Sequence, residues 1–598
     1  MNATAASSSL KEAKLRAMSN KYLPAIACAL SPLFVYIVIR PLAEIGIIDD
    51  WSYIKTAQIL AQTGHIVYNG WATAMLGWQL YFGALFIKAF GFSFTAVRFA
   101  TVIESMATAF LLQRTFVRAG LNAWNATLAT MVFIFSPLCI ALEFTFLTDI
   151  SGVLCIVACL YMCLRALGAE SERSAMVWIS LAALLNAVGG TARQIAWLGV
   201  LVMVPSTLWL LRKQRRVLVV GSLSCVAGAC IVVAAMAWFA RQPYSIQESL
   251  IPSDIDSASM RVAAGFALRS VGQLMVMVLP VLLMFAATLR SWNRRMLAFT
   301  MAALCCLAVP LIARFLAGRI HVTFAFFLDD FQVAPAFERL NVIVSRGIHL
   351  SIAPDVLRML LIGAVALGIF GLIICFFADA HRRRATQPSA GTTTWRQLSV
   401  VLGPFSVAYV GLLVPRATQM YFSDRYLVPL FAIFLLVLAL FYQERVKPNL
   451  PLLCVLFITV FGGFGVAATH DMFAQYRGYV PAIDQIRSTG TSATAILGPW
   501  EFEAWTQIEK VGYINNISVQ VPKGAWAPPP ARSLPANCDT SSSYFLDWTP
   551  AINPTYAIVL DPKQCGGQLA LSPVTYTAWI APHINSIYTV RLPATSPN

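Results

Sequence analysis

The chain has 598 residues, enough for three or four soluble domains at about 150 residues each. Its composition excludes that layout: 58% of the residues are hydrophobic, only 12% are charged and the mean hydropathy is +0.69, where a soluble chain carries roughly 25% charged residues. The net charge of +16 would point to nucleic acid in a soluble protein; in a chain of many spans it reads instead as Lys and Arg collected in cytoplasmic loops.

The N-terminus is basic (Lys11, Lys14, Arg16, Lys21) and runs into an apolar stretch over 23–39. Ala27-Cys28-Ala29 faintly resembles a cleavage site, but the apolar run continues past it, so the segment reads as an uncleaved signal anchor. Further apolar stretches of spanning length centre near 108, 130, 158, 183, 203, 228, 280, 304, 365, 406, 434 and 459, giving about thirteen spans. The segment WQLYFGALFIKAF at 78–90 is short for a span, and charge decides how it lies. If it does not cross, one side of the membrane receives Arg114/Arg118, Arg165/Arg173, Arg212-Lys213-Gln214-Arg215-Arg216, Arg290/Arg294/Arg295, Arg382-Arg383-Arg384 and Arg445/Lys447, together with the basic N-terminus. The positive-inside bias therefore predicts an amphipathic or re-entrant helix along the outer surface at 78–90.

This parity places residues 1–22 in the cytoplasm and leaves a transmembrane domain over 23–469. The outer face then receives the first loop at 41–97, turns at 143–151 and 189–194, loops near 241–268, 314–350 and 416–425, and the tail 470–598. The tail changes composition, with Pro528-Pro529-Pro530 and a helical stretch at 483–487 followed by SATAILG and TYAIVLD. Those alternating runs predict strands and a small extracytoplasmic α/β domain. Cys538 and Cys565, the tail's sole cysteine pair, form a disulfide if that side is oxidising. Cys155, Cys159 and Cys163 share a helix face and read as packing residues. There is no internal repeat and no Gly-rich phosphate loop.

The outer ends of the spans carry the candidate chemistry. Asp49-Asp50-Trp51-Ser52-Tyr53 opens the first loop; neighbouring side chains diverge on any regular backbone, so one carboxylate faces a site and the other supports it. Asp49 is expected to be the base and Asp50 its support. Asp149 in FTFLTDISG lies close to the bilayer, where an aspartate is costly unless it is paired or at the surface and is a functional candidate by default, although a turn residue capping the following helix reads equally well. Arg193-Gln194 follows Gly189-Gly190 on the outer face against the positive-inside trend. Arg98 and Asp424-Arg425-Tyr426 stand at outer span ends, where snorkelling explains any one of them alone.

Together these motifs resemble the polyprenyl-phosphate-sugar glycosyltransferases of the glycosyltransferase C superfamily, which include the dolichyl-phosphate-mannose protein mannosyltransferases and the lipid A aminoarabinose transferases. Asp49-Asp50 with Tyr53 is similar to the family's Asp-Asp/Glu-x-x-Tyr signature, and FGFSFTAVRFATVIES to its Phe-Gly…Arg-Leu-Pro stretch at Arg98. LTDIS is similar to its second acidic position, at Asp149, and DRYLVP to a late Arg-Tyr-x-x-Pro motif. The resemblance covers roughly the first 200 residues well and the remainder by span layout. One element departs from it: Tyr68-Asn69-Gly70-Trp71-Ala72-Thr73 stands where many members carry Lys-Pro-Pro-Leu, so phosphate binding falls to Arg193, Arg425, Arg98 and His65.

The resemblance implies a glycosyltransferase C-type fold and a transferase of the cell envelope, seated in a bacterial inner (plasma) membrane. It would move a hexosyl or pentosyl group from a polyprenyl-phosphate donor to a hydroxyl of a lipid, glycan or protein. The reaction would invert the anomeric carbon, with Asp49 as base and Asp50 and Asp149 in support. Tyr53, Trp51, Gln194 and Tyr426 would line the substrate. Some relatives use a divalent metal ion and others do not, and the sequence shows no dedicated metal cage. Membrane lipids are the expected surroundings and nucleic acid is not an expected partner. Three other classes stay open: a lipid-linked glycan flippase or transporter, a glycan ligase or polymerase, and a receptor with a ligand-sensing tail.

Overall fold

The computed structural model describes residues 2–246, 256–291, 353–382, 393–418, 423–519, 521–529, 534–535, 538, 543–580 and 583–593. The span expected near 304, the loop expected at 314–350 and the basic positions Arg294, Arg295, Arg383 and Arg384 lie outside these residues.

The chain is a bundle of helices with a small C-terminal sheet. In order the helices are α1 (Asn2–Ile39), α2 (Asp50–Thr63), α3 (Gly77–Phe90), α4 (Phe94–Ala119), α5 (Ala123–Ile134), α6 (Pro137–Glu143), α7 (Thr148–Leu167) and α8 (Glu172–Gly189). There follow α9 (Val204–Leu210), α10 (Arg215–Phe239), α11 (Ser257–Met277), α12 (Leu279–Leu282), α13 (Ala353–Arg382), α14 (Trp395–Thr418), α15 (Val428–Arg445), α16 (Leu452–Ser488) and α17 (Trp500–Val511). Among the described residues seven helices are long and apolar enough to cross a membrane, or nine if each of two bent pairs is one span. Helices also occupy the positions expected near 183, 203 and 365, the last two as shorter apolar segments at Gln194–Leu210 and Leu360–Phe376. The count of about thirteen is thus not reached among the described residues.

The local reasons are legible. The pair α5–α6 bends by 70° because Pro137 starts a new helix. The residue before a proline avoids the helical region, so Ser136 is extended and its side chain accepts from the Cys139 amide as an N-cap. Helix α3 has 14 residues, roughly 21 Å of rise against a hydrocarbon core of roughly 30 Å. It is held at one end of the bundle by Trp78 Nε1 donating to Gly189 O (2.9 Å) and Gln79 Nε2 donating to Leu147 O (3.1 Å).

The tail grows directly out of the bundle: α16 is 37 residues long, roughly 55 Å, and runs unbroken through position 470. Beyond it β1 (Ile496–Leu497), β2 (Tyr556–Val559), β3 (Gln568–Leu569), β4 (Val574–Thr577) and β5 (Ile584–Arg591) form a five-stranded sheet. The order is β1-β2-β5-β3, with β4 also paired to β5. The two strands expected in SATAILG and TYAIVLD are β1 and β2, paired in parallel with Ile496 opposite Tyr556. Cys538 and Cys565 are joined by a disulfide beside this sheet. Helix α17 packs against α2 through Trp51, Trp71, Trp500 and Trp548, whose ring centroids lie 5.1–6.4 Å apart. Burying such rings is worth roughly 1.5–3 kcal/mol each, so the tail is fastened to the segment that follows α1.

Candidate active site

Asp49 and Asp50 stand at the start of α2, and their surroundings differ. Asp50 is fully buried, and Arg98, 2% exposed, meets it with Nε (2.6 Å to Oδ2) and Nη2 (3.1 Å to Oδ1). The same guanidinium donates to the carbonyls of Ala43 (2.7 Å) and Ile45 (2.6 Å), while Asp50 Oδ1 accepts from the Ile47 amide (2.7 Å). Arg98 is placed by α4, whose N-terminus is capped by Ser93 and by Glu44, which accepts from Ser93 Oγ (2.8 Å) and the Phe94 amide (2.9 Å). Burial pushes the Glu44 carboxyl up, but the bonds from Thr95, Ser93 and Phe94 prevail and hold it below its usual value. Arg98 and Asp50 therefore form an internal brace that shapes the loop.

Asp49 is the helix-capping residue by position, yet its side chain makes no cap bond. Its carboxylate points instead to Arg425 Nη2 (2.9 Å to Oδ2) and Trp71 Nε1 (2.9 Å to Oδ1). This pair is accessible, with side chains 18% and 13% exposed. Asp149 lies in the first turn of α7, where Leu147 is the cap residue and no side chain caps, so the capping reading of Asp149 is not realised. Its Oδ1 accepts from Arg193 Nη1 at 2.5 Å, and Arg193 is 17% exposed. The glycine one turn on, Gly152, makes room for Arg193: a Cβ there would lie 3.0 Å from Arg193 Cδ.

Asp149, Arg193 and Arg425 line one small cleft together with Gly152, Tyr409 and Pro429, and Asp49 joins it through its bond to Arg425. Tyr409 lines the cleft, and the Tyr426 ring stands beside Arg193 and Arg425. The Tyr426 ring has the guanidinium carbons of Arg416 at 4.9 Å, Arg193 at 5.4 Å and Arg425 at 5.8 Å, within cation–π range. Tyr426 is fixed in turn by the Tyr409 hydroxyl donating to its carbonyl (2.8 Å). Tyr53 is buried close by: burial pushes its phenol up, Asp49 and Asp149 add to this, and Arg425 and Arg193 oppose it.

The structure thus brings together Asp49, Asp149, Arg193, Arg425, Tyr53 and Tyr426. It does not bring in the rest. His65 is exposed beyond the far end of α2, roughly 20 Å along the helix from Asp49. Trp51 is fully buried in the tryptophan cluster. Gln194 fastens the loop before α3, donating to Thr73 O (3.1 Å) and accepting from the Met75 amide (3.4 Å). Two residues of the arrangement were not singled out from sequence: Arg416, one more cation at a span end, and Trp71, the indole on Asp49. Among the described residues no group of three or more His, Cys, Asp and Glu is placed to hold a metal ion. Asp49 and Asp149 each face a guanidinium, a donor set that suits an anion better than a divalent cation.

No protein-family model matches the chain, and no curated protein matches it in sequence. In structure it is similar to the archaeal oligosaccharyltransferase AglB from Archaeoglobus fulgidus, in complex with an inhibitory peptide and a dolichol-phosphate. The TM-score is 0.40 and the identity 13%, over 89% of this chain and 64% of that one. The chain therefore spans less than two thirds of the archaeal protein. It is also similar to ArnT from Cupriavidus metallidurans in the apo state (TM-score 0.37, 12% identity, 96% of this chain, 98% of that chain). The ArnT structure bound to undecaprenyl phosphate gives the same TM-score and identity over 97% and 100%. These likenesses are too distant to bear on residue roles.

Proposed function

We propose that the protein is an integral-membrane glycosyltransferase that moves a sugar from a polyprenyl-phosphate donor to an acceptor hydroxyl on the extracytoplasmic face. The observation that carries this reading is the pair of accessible carboxylate–guanidinium contacts, Asp49–Arg425 and Asp149–Arg193, whose two arginines line one cleft. A lipid phosphate needs fixed, permanently charged donors, and arginine's planar fork meets its oxygens bidentately. Arg193 and Arg425 hold the phosphate, with Arg416 behind Tyr426 adding to the field.

The transfer then balances as one displacement. The acceptor oxygen forms its bond to the anomeric carbon from the face opposite the phosphate, the bond from that carbon to the phosphate oxygen breaks, and the configuration inverts. The hydroxyl proton passes to Asp49 as general base. The departing phosphate gains charge that Arg193 and Arg425 are already in place to meet, with little reorganisation. As the phosphate engages Arg425, that arginine's bond to Asp49 is shared, and the carboxylate turns to the acceptor while Trp71 keeps its other oxygen in place. Asp149 orients Arg193, and Asp50 with Arg98 holds the loop that carries Asp49. No step is routed through a metal ion.

The buried Cys538–Cys565 disulfide supports an oxidising compartment for the tail, in keeping with the charge parity that puts the N-terminus inside. The test is to incubate purified protein with a panel of polyprenyl-phosphate sugars and measure free polyprenyl phosphate. Release with one donor and none with the others supports the reading and names the sugar; no release with any donor and acceptor in the panel counts against it.

A transporter reading draws on the bent pair α5–α6 and on two buried carboxylates, Glu104 and Glu143. Lipid-linked sugar crossing vesicles at wild-type rate in an Asp49→Asn variant, with no sugar transferred by the wild type, would favour it.

A further inference from the structure

The backbone that carries Asp49 is strained. Ile48 has φ of +56°, in the left-handed region, which is costly for a β-branched residue. Such outliers persist only where the surroundings over-determine them, and here the restraint comes from two sides. From the bundle, Arg98 holds the carbonyls of Ala43 and Ile45 together with Asp50. From the tail, Glu501 in the first turn of α17 accepts the Ile48 amide on Oε1 at 2.9 Å, across 453 residues of sequence. The same oxygen accepts the Tyr476 hydroxyl at 2.6 Å, so α16 fixes the carboxylate that fixes the turn. Glu501 is 5% exposed, and Gly46 packs so closely that a Cβ there would lie 3.1 Å from Glu501 Cβ and 2.5 Å from Trp51 Cβ. The tail reaches Asp49 by a second route as well: Trp71, whose indole donates to Asp49, is packed among Trp500 and Trp548 of the tail.

We infer that Glu501 is a positioning residue: through the Ile48 amide it holds the Asp49 turn in its strained, working conformation, so that the C-terminal domain completes the active site. This rests on the reading of Asp49 as the base. It assigns the tail a part in the chemistry itself, whatever its part in choosing the acceptor. Burial pushes the Glu501 carboxyl up to about 7, against the bonds from Tyr476 and the Ile48 amide and with Asp50 adding to it.

The experiment compares Glu501→Ala, Glu501→Gln and wild type as full chains in detergent, by hydrogen exchange over 44–53 and by donor kinetics. Glutamine keeps an oxygen that accepts from the Ile48 amide; alanine does not. The expected result is loss of amide protection over 44–53 in Glu501→Ala and its retention in Glu501→Gln. The alanine variant should also lose roughly ten- to a hundredfold in kcat, as a small misplacement of a base does. Its KM for the donor should change less than about twofold, because Arg193 and Arg425 still hold the phosphate, and glutamine should restore kcat. Unchanged exchange in Glu501→Ala, or kcat and donor affinity falling together in both variants, would overturn the inference. A wild-type protein without transfer activity would sink the base assignment, and exchange over 44–53 would still decide the clamp.

Discussion

Asp50 and Asp49 share a peptide bond, yet one is fully buried against a buried arginine and the other keeps an accessible carboxylate on Arg425. Breaking a buried pair by removing one partner costs about 3–5 kcal/mol, because the other charge is left uncompensated. Arg98→Ala is therefore expected to lower the midpoint of thermal unfolding in detergent by that order of stability; an unchanged midpoint would mean the brace is dispensable. Arg193→Lys separates the phosphate role from the brace. A point charge replaces a fork, the fold stays, and donor KM is expected to rise about 10–100-fold, the worth of one charge-assisted hydrogen bond at roughly 1.5–3 kcal/mol. The residues of this site were legible as types, since carboxylates and arginines at span ends are conspicuous in a chain so poor in charge. Their pairing was not: Asp49 and Arg425 lie 376 residues apart, and only the fold joins them. Arg98 reads from sequence as one more cation for phosphate; in the structure it is buried on Asp50 and the carbonyls of Ala43 and Ile45. Trp51 reads as a substrate aromatic next to two aspartates, but the helix turns it into the tryptophan cluster. Glu501 carries no local signal, because what makes it informative is the distant amide that it accepts.

At the scale of elements, the junction between α2 and α17 decides whether the site is assembled. The Glu501 carboxyl is pushed from its ordinary 4.5 up to about 7, chiefly by burial, with buried Asp50 adding to the cost and Tyr476 and the Ile48 amide offsetting it. A folded-state value above the unfolded one gives stability that is complete below about 4.5 and is lost as pH rises through about 7. Wild type is thus expected to lose up to about 3 kcal/mol across that window relative to Glu501→Gln, which has nothing to titrate there. Parallel unfolding curves for the two proteins from pH 4.5 to pH 8 would refute this assignment. Helices were readable from apolar length, which follows from the thickness of a bilayer, and the short α3 from its being too short to span one. The sheet was readable only as β1 and β2; β3 is two residues long and exposed, so no alternation marks it.

For the whole molecule, the distribution of charge predicts one topology: N-terminus inside, site and tail outside. The route from Asp49 to Glu501 requires the tail and the first loop to share a side, because they are hydrogen-bonded. A cysteine at Ile517, fully exposed in the tail, is expected to react with an impermeant thiol reagent applied to intact cells, and one at Lys11 only after lysis. The reverse pattern would place the cleft in the cytosol and remove the lipid-headgroup argument with it. Sidedness is predicted from sequence because Lys and Arg in the loops set it, whereas the acceptor is a property of surfaces that charge does not describe.

The most direct test of the central claim is sugar transfer by Asp49→Asn, measured beside donor binding on the same preparation. Asparagine keeps the shape and the contact to Trp71 but cannot take the acceptor's proton. Loss of transfer by about 10²–10⁴-fold, with polyprenyl-phosphate sugar still bound, is the predicted result. Transfer at the wild-type rate by that variant would contradict it.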